Sequence, residues 1–179
     1  TTTVNFDGDV DGRRVFLDFA SVHLRAEVFV NRRLVGYDTV GHTPFTVDAT
    51  GAFHAGENEI AVRITDPAGN FSWNDRKVHR WGRWDIPAAH GFGGITGPVS
   101  LRVVDPVYVD DVFVMNRPEI TTADLRVTVV NTTGGDADAE VSLRIHPDGE
   151  PSRPVWRESL ERSFPPGETV FNVRAEAPD

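Results

Sequence analysis

Apolar and polar residues alternate along most of this chain, and this period of two constrains the fold more than any other feature. In the segment VFLDF, Val15, Leu17 and Phe19 fall on one face, as a half-buried strand requires. The same alternation predicts strands at residues 26–30, 34–37, 45–48, 59–65 and 99–104. Each is short and bounded by turn residues, and no window keeps the apolar spacing of an amphipathic helix over three turns. The chain is therefore predicted to be all-β.

A domain boundary is predicted at Asp105-Pro106, because a proline cannot donate to a β-ladder and extends the residue before it. Beyond it, alternation predicts strands at residues 107–114, 124–131, 140–145 and 169–173, with a weaker one at 154–160. Their spacing and the Gly- and Pro-rich turns between them are typical of a small immunoglobulin-like sandwich. We therefore predict one domain over residues 1–105 and an immunoglobulin-like β-sandwich over residues 106–179.

Charge and cysteine content exclude several classes of function. The chain has 18 Lys and Arg against 27 Asp and Glu, a formal net charge of -9, so it lacks the basic field that nucleic acid or an anionic membrane surface requires. With 0 Cys, disulfides, zinc-thiolate sites and thiol catalysis are excluded, although the cellular compartment stays open. No apolar run approaches the length of a membrane-spanning helix, and we expect a soluble chain.

Residues 71–97 form a long Gly-rich stretch that does not alternate and carries Trp73, Trp81 and Trp84. Long irregular segments in compact domains are usually functional loops or disordered linkers, and the density of Trp argues against a linker. This stretch is therefore the predicted location of a functional site.

Three motifs, in order and at matching spacing, resemble the sugar-binding domain of glycoside hydrolase family 2, the β-galactosidase and β-glucuronidase family. The first runs from RAEVFVN (25–31) through LVG (34–36) to TPFTVD (43–48), the second is GENEIAVR (56–63), and the third is GGITGPV (93–99). The string DPVYV (105–109) then resembles the start of that family's immunoglobulin-like second domain. The resemblance covers nearly the whole chain and implies a jelly-roll (galactose-binding-like) β-sandwich followed by an immunoglobulin-like one.

The resemblance also implies where the chemistry lies. The family's two catalytic Glu belong to a (β/α)8 barrel that follows the second domain, and retaining hydrolysis needs two carboxyl groups about 5 Å apart. No barrel fits in this chain, and Asp110 and Asp111 are predicted on opposite faces of their strand. We therefore expect no catalytic residue and no cofactor here. The chain is interpreted as a non-catalytic N-terminal fragment of a retaining β-glycosidase, with the missing barrel and carbohydrate as partners.

Five residues are candidates for contact with a sugar in the intact enzyme: Trp81, Arg83, Trp84, Asp85 and His90. Aromatic faces stack on the apolar faces of sugar rings, while Arg and Asp bind hydroxyl groups. The alternative is that the Trp residues pack against their own domain or against the barrel. The family presents an Asp just before its Gly-Gly-Ile motif; that place holds Ala88 here, with Asp85 three residues earlier.

Asp7, Asp9, Asp11 and Asp18 fit the acidic positions of a calcium loop, with Gly12 in the turn. The bidentate Glu and the flanking helices of such a loop are missing, so a polar hairpin turn is the alternative interpretation. The 6 His show no metal-ligand spacing. No metal site is therefore expected beyond this weak calcium candidate.

The chain begins without Met and stops at Asp179 with no closing element, so we expect it to be an excised piece. A sandwich cut there would leave a sheet edge at residues 169–174 as a template for pairing with another chain, and self-association through this edge is expected. Two rival functions stay open: a free-standing carbohydrate-binding module and a structural spacer of a surface protein.

Overall fold

A computed structural model describes residues 1–65, 79–81, 84–86, 93–119, 121–150 and 152–176, and only the backbone of residues 79–81 and 84–86. All regular structure in these residues is β, which confirms the predicted class. The chain divides into two compact units, Thr1–Val103 and Val104–Asp179. Within the described ranges, no helix has the length and apolarity to cross a bilayer.

Eleven strands come first. They are β1 (Thr2–Phe6), β2 (Arg14–Phe19), β3 (Val22–His23), β4 (Arg25–Val30), β5 (Arg33–Asp38), β6 (Phe45–Asp48), β7 (Gly56–Thr65), β8 (His79–Trp81), β9 (Trp84–Ile86), β10 (Gly94–Ile95) and β11 (Val99–Val104). A four-stranded sheet has the order β1-β7-β4-β5, and a three-stranded sheet has the order β11-β2-β6. Two short ladders, β10-β3 and β8-β9, complete the pairings among these eleven strands.

The first core lies between the inner faces of these two sheets. Val15, Leu17 and Phe19 of β2 are buried, as their alternation predicts, and Phe19 stacks on Phe45 of β6 with ring centroids 4.7 Å apart. The buried apolar set is Val15, Leu17, Phe19, Val22, Ala26, Val28, Val30, Val47, Ala49, Phe53 and Ile60. Close-packed apolar side chains of this kind supply most of the stabilisation of a β-sandwich.

Gly36 in β5 has a packing role that accounts for its place in the first motif. A Cβ at this position would lie 2.7 Å from Cγ1 of Val47, closer than side-chain contacts allow. The backbone of β5 can therefore approach β6 only where residue 36 has no side chain.

Five strands form the second unit: β12 (Val107–Asn116), β13 (Thr122–Asn131), β14 (Ala137–Ile145), β15 (Trp156–Phe164) and β16 (Gly167–Glu176). They form a three-stranded sheet, β12-β13-β16, and a two-stranded sheet, β14-β15. The core between them contains Leu125, Val127, Val129, Val141, Leu143, Phe164, Phe171, Val173 and Ala175. All five strands predicted for this region are present.

A β-bulge in β12 interrupts the alternation from which Asp110 and Asp111 were predicted on opposite faces. The register with β13 shifts between Val109 and Asp111, so Asp110 has no partner across the ladder. Strict alternation is interrupted at a bulge, and opposite faces for Asp110 and Asp111 do not follow from sequence spacing there.

The sequence patterns missed β1, β3, β8, β9 and β10. β1 has only two apolar positions, Val4 and Phe6, and both pack against the first core. β3 and β10 have two residues each, which is too short for any period to show. β1, β3 and β10 depend on partners distant in sequence rather than on their own pattern.

Two buried asparagines satisfy backbone groups where strands end. Asn58 is fully buried; its Nδ2 donates to the carbonyls of His54 (2.7 Å) and Gly56 (3.0 Å), and its Oδ1 accepts from the His54 N–H (3.0 Å) and from Asn31 Nδ2 (2.9 Å). In the second unit, buried Asn131 donates to the carbonyls of Gly135 (2.9 Å) and Phe164 (2.7 Å). Each amide thereby replaces backbone pairing that a turn cannot supply.

Replacing Asn58 by Ala should destabilise the first unit by about 2 to 4 kcal/mol, because several buried polar groups lose their partner at once. Hydrogen exchange during urea titration would measure this loss in peptides of β2, β4 and β7, while peptides of β13 and β16 keep their protection. Asn5→Ala, at an exposed position, is the matched control and should change stability by less than about 0.5 kcal/mol. A loss below about 1 kcal/mol for Asn58→Ala would contradict the role assigned to this amide.

Candidate functional site

The segment that carries the sugar-binding candidates is tied at both ends to one short part of the chain. β7 ends at Thr65, which pairs with Arg25 of β4. The chain is described again continuously from Gly93, and Gly94 of β10 pairs with His23 of β3. The two ends of the segment between β7 and β10 therefore both lie beside residues 23–25.

The segment rejoins the first unit at residues 93–98, most of the third motif, which we call the strap. These residues are hydrogen-bonded to the chain around Ser21. The Ser21 carbonyl accepts the N–H groups of Thr96 and Gly97, each at 3.1 Å, and the hydroxyls of Ser21 and Thr96 lie 2.8 Å apart. A Cβ on Gly97 would lie 3.0 Å from the Cβ of Ala20, so glycine allows residues 93–98 to lie against the connection between β2 and β3. The motif thus has a structural reason: it holds the end of the segment in register with β3.

His23 and His42 lie together next to this strap. Their ring centroids are 4.3 Å apart with an interplanar angle of 29°, and the His42 N–H donates to the Val22 carbonyl at 2.9 Å. The turn before His42 is held by Asp38, whose Oδ2 accepts the Gly41 N–H at 2.9 Å. Nδ1 of His23 is buried and has no hydrogen-bond partner among the described residues. His42 is exposed, so its imidazole can form hydrogen bonds with hydroxyl groups beside the ends of the segment.

Sequence analysis did not find this histidine pair. The two residues are separated in the chain and come together where the turn before β6 is hydrogen-bonded to β3. No local spacing signals such a contact. We define His23, His42, Ser21 and Thr96 as the histidine rim.

The structure describes three of the five predicted sugar-binding residues, by their backbone alone. β8 and β9 form an antiparallel pair in which Trp81 is opposite Trp84, and Arg80 is opposite Asp85. Arg83, Ala88 and His90 lie outside the described residues. A hairpin signal was present in the sequence, since two residues beginning with Gly connect the two Trp.

Three of the four carboxylates of the calcium candidate accept hydrogen bonds within the protein. Asp9 accepts the Asp11 backbone N–H at 2.9 Å, and Asp7 accepts from Asn5 Nδ2 at 2.8 Å. Asp18 accepts from Arg102 Nε at 2.9 Å and from Thr46 Oγ1 at 2.7 Å. Within the part of the chain that the structure describes, no group of three or more His, Asp or Glu residues is placed to hold a metal ion.

Asp18 and Arg102 instead form an ion pair on the outer face of the β11-β2-β6 sheet. The hydrogen bond from Arg102 lowers the pKa of the Asp18 carboxyl below its ordinary value, partial burial acts in the opposite direction, and the Thr46 hydroxyl adds to the lowering. The Arg102 guanidinium also lies 4.8 Å from the ring centroid of Phe16. A cation over an aromatic face is favourable, so the pair both neutralises charge and covers an outward-facing ring.

The described residues thus form two all-β sandwich units, and the first carries the ends of the segment that contains Trp81 and Trp84. No protein-family model matches the chain. The exo-β-D-glucosaminidase of Streptomyces avermitilis is 30% identical over 173 residues, covering 92% of this chain and 18% of that protein. A β-galactosidase of Thermoanaerobacter pseudethanolicus is 31% identical over 126 residues, covering 65% of this chain and 15% of that protein.

In fold, the chain is similar to a glycosyl hydrolase family 2 member from Bacteroides cellulosilyticus. The TM-score is 0.74 at 21% identity, over 99% of this chain and 23% of that one. The likeness confirms the predicted fold class, a jelly-roll β-sandwich followed by an immunoglobulin-like one. Together these relatives confirm the resemblance to glycoside hydrolase family 2, and the chain spans less than a quarter of the length of each of them.

The Asp18–Arg102 pair should contribute about 0.5 to 1 kcal/mol at pH 7, as coupling between Asp18→Asn and Arg102→Gln in a double-mutant cycle. Because the folded-state pKa of Asp18 lies below its unfolded value, this stability is present above the unfolded pKa and is lost as pH falls through the folded pKa. Urea unfolding of the Asp18→Asn variant should therefore depend less on pH below about pH 5 than that of the unmodified chain. Equal slopes for the two proteins would show that Asp18 does not contribute.

Proposed function

We propose that this chain is a non-catalytic part of a family 2 glycoside hydrolase, where it braces the catalytic barrel and shapes one rim of its sugar site. The observation that carries the proposal is the alignment of 92% of the chain with only 18% of an exo-β-D-glucosaminidase. An alignment that covers nearly all of this chain but only a small fraction of the relative is expected of a piece of a larger enzyme.

Catalysis is assigned to a separate part of that enzyme. Retaining hydrolysis needs an acid and a nucleophile about 5 Å apart on a rigid frame, which barrel strands provide. The described residues of this chain form only β-sandwiches. The parent enzyme is proposed to be a retaining β-glycosidase, since the relatives are named for glucosaminide and galactoside substrates in β linkage.

We assign the contact with sugar at one side of the active site to two parts of the chain: the segment between β7 and β10, and the histidine rim. The two ends of this segment are fixed beside residues 23–25, next to the histidine rim. Trp81, Trp84 and Asp85 are the proposed sugar contacts from this segment, together with Arg83 and His90. The imidazoles of His23 and His42 lie at its base and would bind outlying hydroxyls.

A free-standing carbohydrate-binding module is the second candidate function. The three Trp residues between positions 71 and 97 favour it, because aromatic residues can bind a glycan without an enzyme attached. Under this alternative the isolated chain should bind oligosaccharides by itself. Under the first proposal it provides only one side of a site and should bind them weakly.

The isolated chain is expected to release no nitrophenol above buffer from p-nitrophenyl β-galactoside, β-glucuronide or β-glucosaminide, because the catalytic pair lies elsewhere. Turnover that disappears when a single Glu of this chain is changed to Gln would contradict the proposal.

Tryptophan fluorescence titration with oligosaccharides of the same sugars separates the two functions. We expect no saturation below about 1 mM, since half a site retains few of the contacts that give affinity. Saturable binding that is lost in Trp81→Ala and Trp84→Ala, but kept in the control Trp156→Phe, would support the free-standing module instead. The reading frame beyond residue 179 gives an independent check: a barrel supports the first function, a stop codon the module, and tandem sandwiches a structural spacer.

A further inference from the structure

The outer face of the four-stranded sheet in the first unit carries an exposed tyrosine. Gly36 of β5 faces the core beside Val47, so its neighbour Tyr37 lies on the opposite, outer face. Tyr37 is 69% exposed. It is opposite Glu27 of β4 in the ladder, and Glu27 is opposite Arg63 of β7. The three side chains therefore form one row across three neighbouring strands.

A second row, next to the first, is apolar. Leu34 of β5 is opposite Phe29 of β4, and Phe29 is opposite Ala61 of β7. Leu34 is 49% exposed, while Phe29 and Ala61 are half-buried. Residues two apart on a strand share a face, so the two rows form one continuous surface. We call this surface the tyrosine face, and its residues are Tyr37, Glu27, Arg63, Leu34, Phe29 and Ala61.

Glu27 and Arg63 form an ion pair on the tyrosine face. The hydrogen bond that Arg63 Nε donates lowers the pKa of the Glu27 carboxyl, so this group stays ionised and acts as an acceptor. In the part of the chain that the structure describes, the Nη groups of Arg63 have no hydrogen-bond partner. The pair is thus neutral overall and still offers N–H donors and a carboxylate to a ligand.

A ligand with apolar faces and hydroxyl groups matches this composition. The ring of Tyr37 offers an apolar platform on which a sugar ring can stack, and the adjacent ion pair can bind the hydroxyls of that sugar. The face is small for a protein partner. At their exposures, Tyr37 and Leu34 present on the order of 300 Å², whereas each partner in a stable protein interface contributes about 800 Å².

The tyrosine face is continuous with the part of the first unit to which we assign sugar contacts. The segment between β7 and β10 starts beyond Thr65, which is opposite Arg25. Both residues are two positions along their strands from the row of Tyr37, a distance of about 7 Å. Tyr37 also directly precedes Asp38, whose carboxylate holds the turn of the histidine rim.

We infer that the tyrosine face is a second carbohydrate-binding surface, on which an oligosaccharide extends away from the sugar site of the proposed enzyme. One sugar ring stacks on Tyr37 while Glu27 and Arg63 bind its hydroxyls. The next sugar of the oligosaccharide contacts Leu34 and Phe29. The inference rests on the proposed function for the direction of the oligosaccharide, and it identifies the substrate class as oligosaccharides rather than single glycosides.

Nuclear magnetic resonance of the whole chain, titrated with β-1,4-galactotetraose, tests the inference. This probe is neutral, so the net charge of -9 does not attract it. Amide signals of residues 27, 37 and 63 should shift with a dissociation constant of about 1 to 10 mM, since few contacts are made. Signals of Tyr108, the only other Tyr of the chain, should not move.

Tyr37→Ala should weaken this binding about 10-fold, because the stacking platform is lost. Tyr37→Phe keeps the ring and should change the affinity less than about 2-fold. The matched control is Val170→Ala, which removes another apolar side chain that is 51% exposed, and it should leave the affinity unchanged. The amide spectrum reports folding of each variant, and Glu27→Gln combined with Arg63→Gln is a second, independent variant that should also weaken binding.

Four outcomes would overturn the inference. The first is no shift up to about 20 mM tetrasaccharide, and the second is equal affinity for Tyr37→Ala and the unmodified chain. The third is a set of shifts that excludes β4, β5 and β7, which would assign binding to another surface. The fourth is movement of the same signals with protein concentration in the absence of sugar, which would assign the face to a second copy of the chain.

The parent enzyme separates this inference from the proposed function. There Tyr37→Ala should raise the KM for the tetrasaccharide about 5- to 10-fold more than the KM for an aryl monoglycoside, which is too short to reach the tyrosine face. Slower amide exchange of residues 27–37 in the ligand-free parent than in the isolated chain would show that the enzyme itself covers the face, and would overturn the inference. A parent without hydrolase activity would contradict the proposed function, while the titration of the isolated chain still decides the inference.

Discussion

Each sandwich depends on burying one face of every core strand while keeping every backbone polar group bonded. The alternation of apolar residues accomplishes the first requirement along β2, β4 and β13. The second fails where strands end, because turns expose carbonyls that no ladder can pair. Asn58 in the first unit and Asn131 in the second solve this problem with buried amides, each of which bonds two such carbonyls. Apolar side chains at these positions would leave the carbonyls unpaired and the turns unfixed.

Sequence alone predicted the long strands and their inner faces. Val15, Leu17 and Phe19 show why: three apolar residues at a spacing of two identify a buried face without knowledge of the partner strand. Phe16 shows the limit. Alternation places it on the outer face, yet it is only 7% exposed, because the guanidinium of Arg102 lies over its ring. That cover comes from a strand 86 positions later, and no local pattern contains it.

The candidate site was predicted only in part, for the same reason. The resemblance identified the segment that bears Trp81 and Trp84, and the structure shows how its base is held. His23 and His42 at that base were not found, because their contact joins the two-residue strand β3 to the turn before β6. Short strands of this kind are specified by the tertiary fold and carry almost no sequence signal.

Two parts of the chain, β14 and the segment between β7 and β11, depart from local sequence rules in different ways. Along β14, alternation is regular, yet Glu140 and Arg144 each lie opposite a like charge on β15. Such a conflict lowers the stability of the isolated hairpin. Between β7 and β11 the sequence shows the opposite departure: the alternation is lost while Trp residues accumulate. Apolar side chains in a segment without alternation stabilise the fold only where a surface or a ligand covers them.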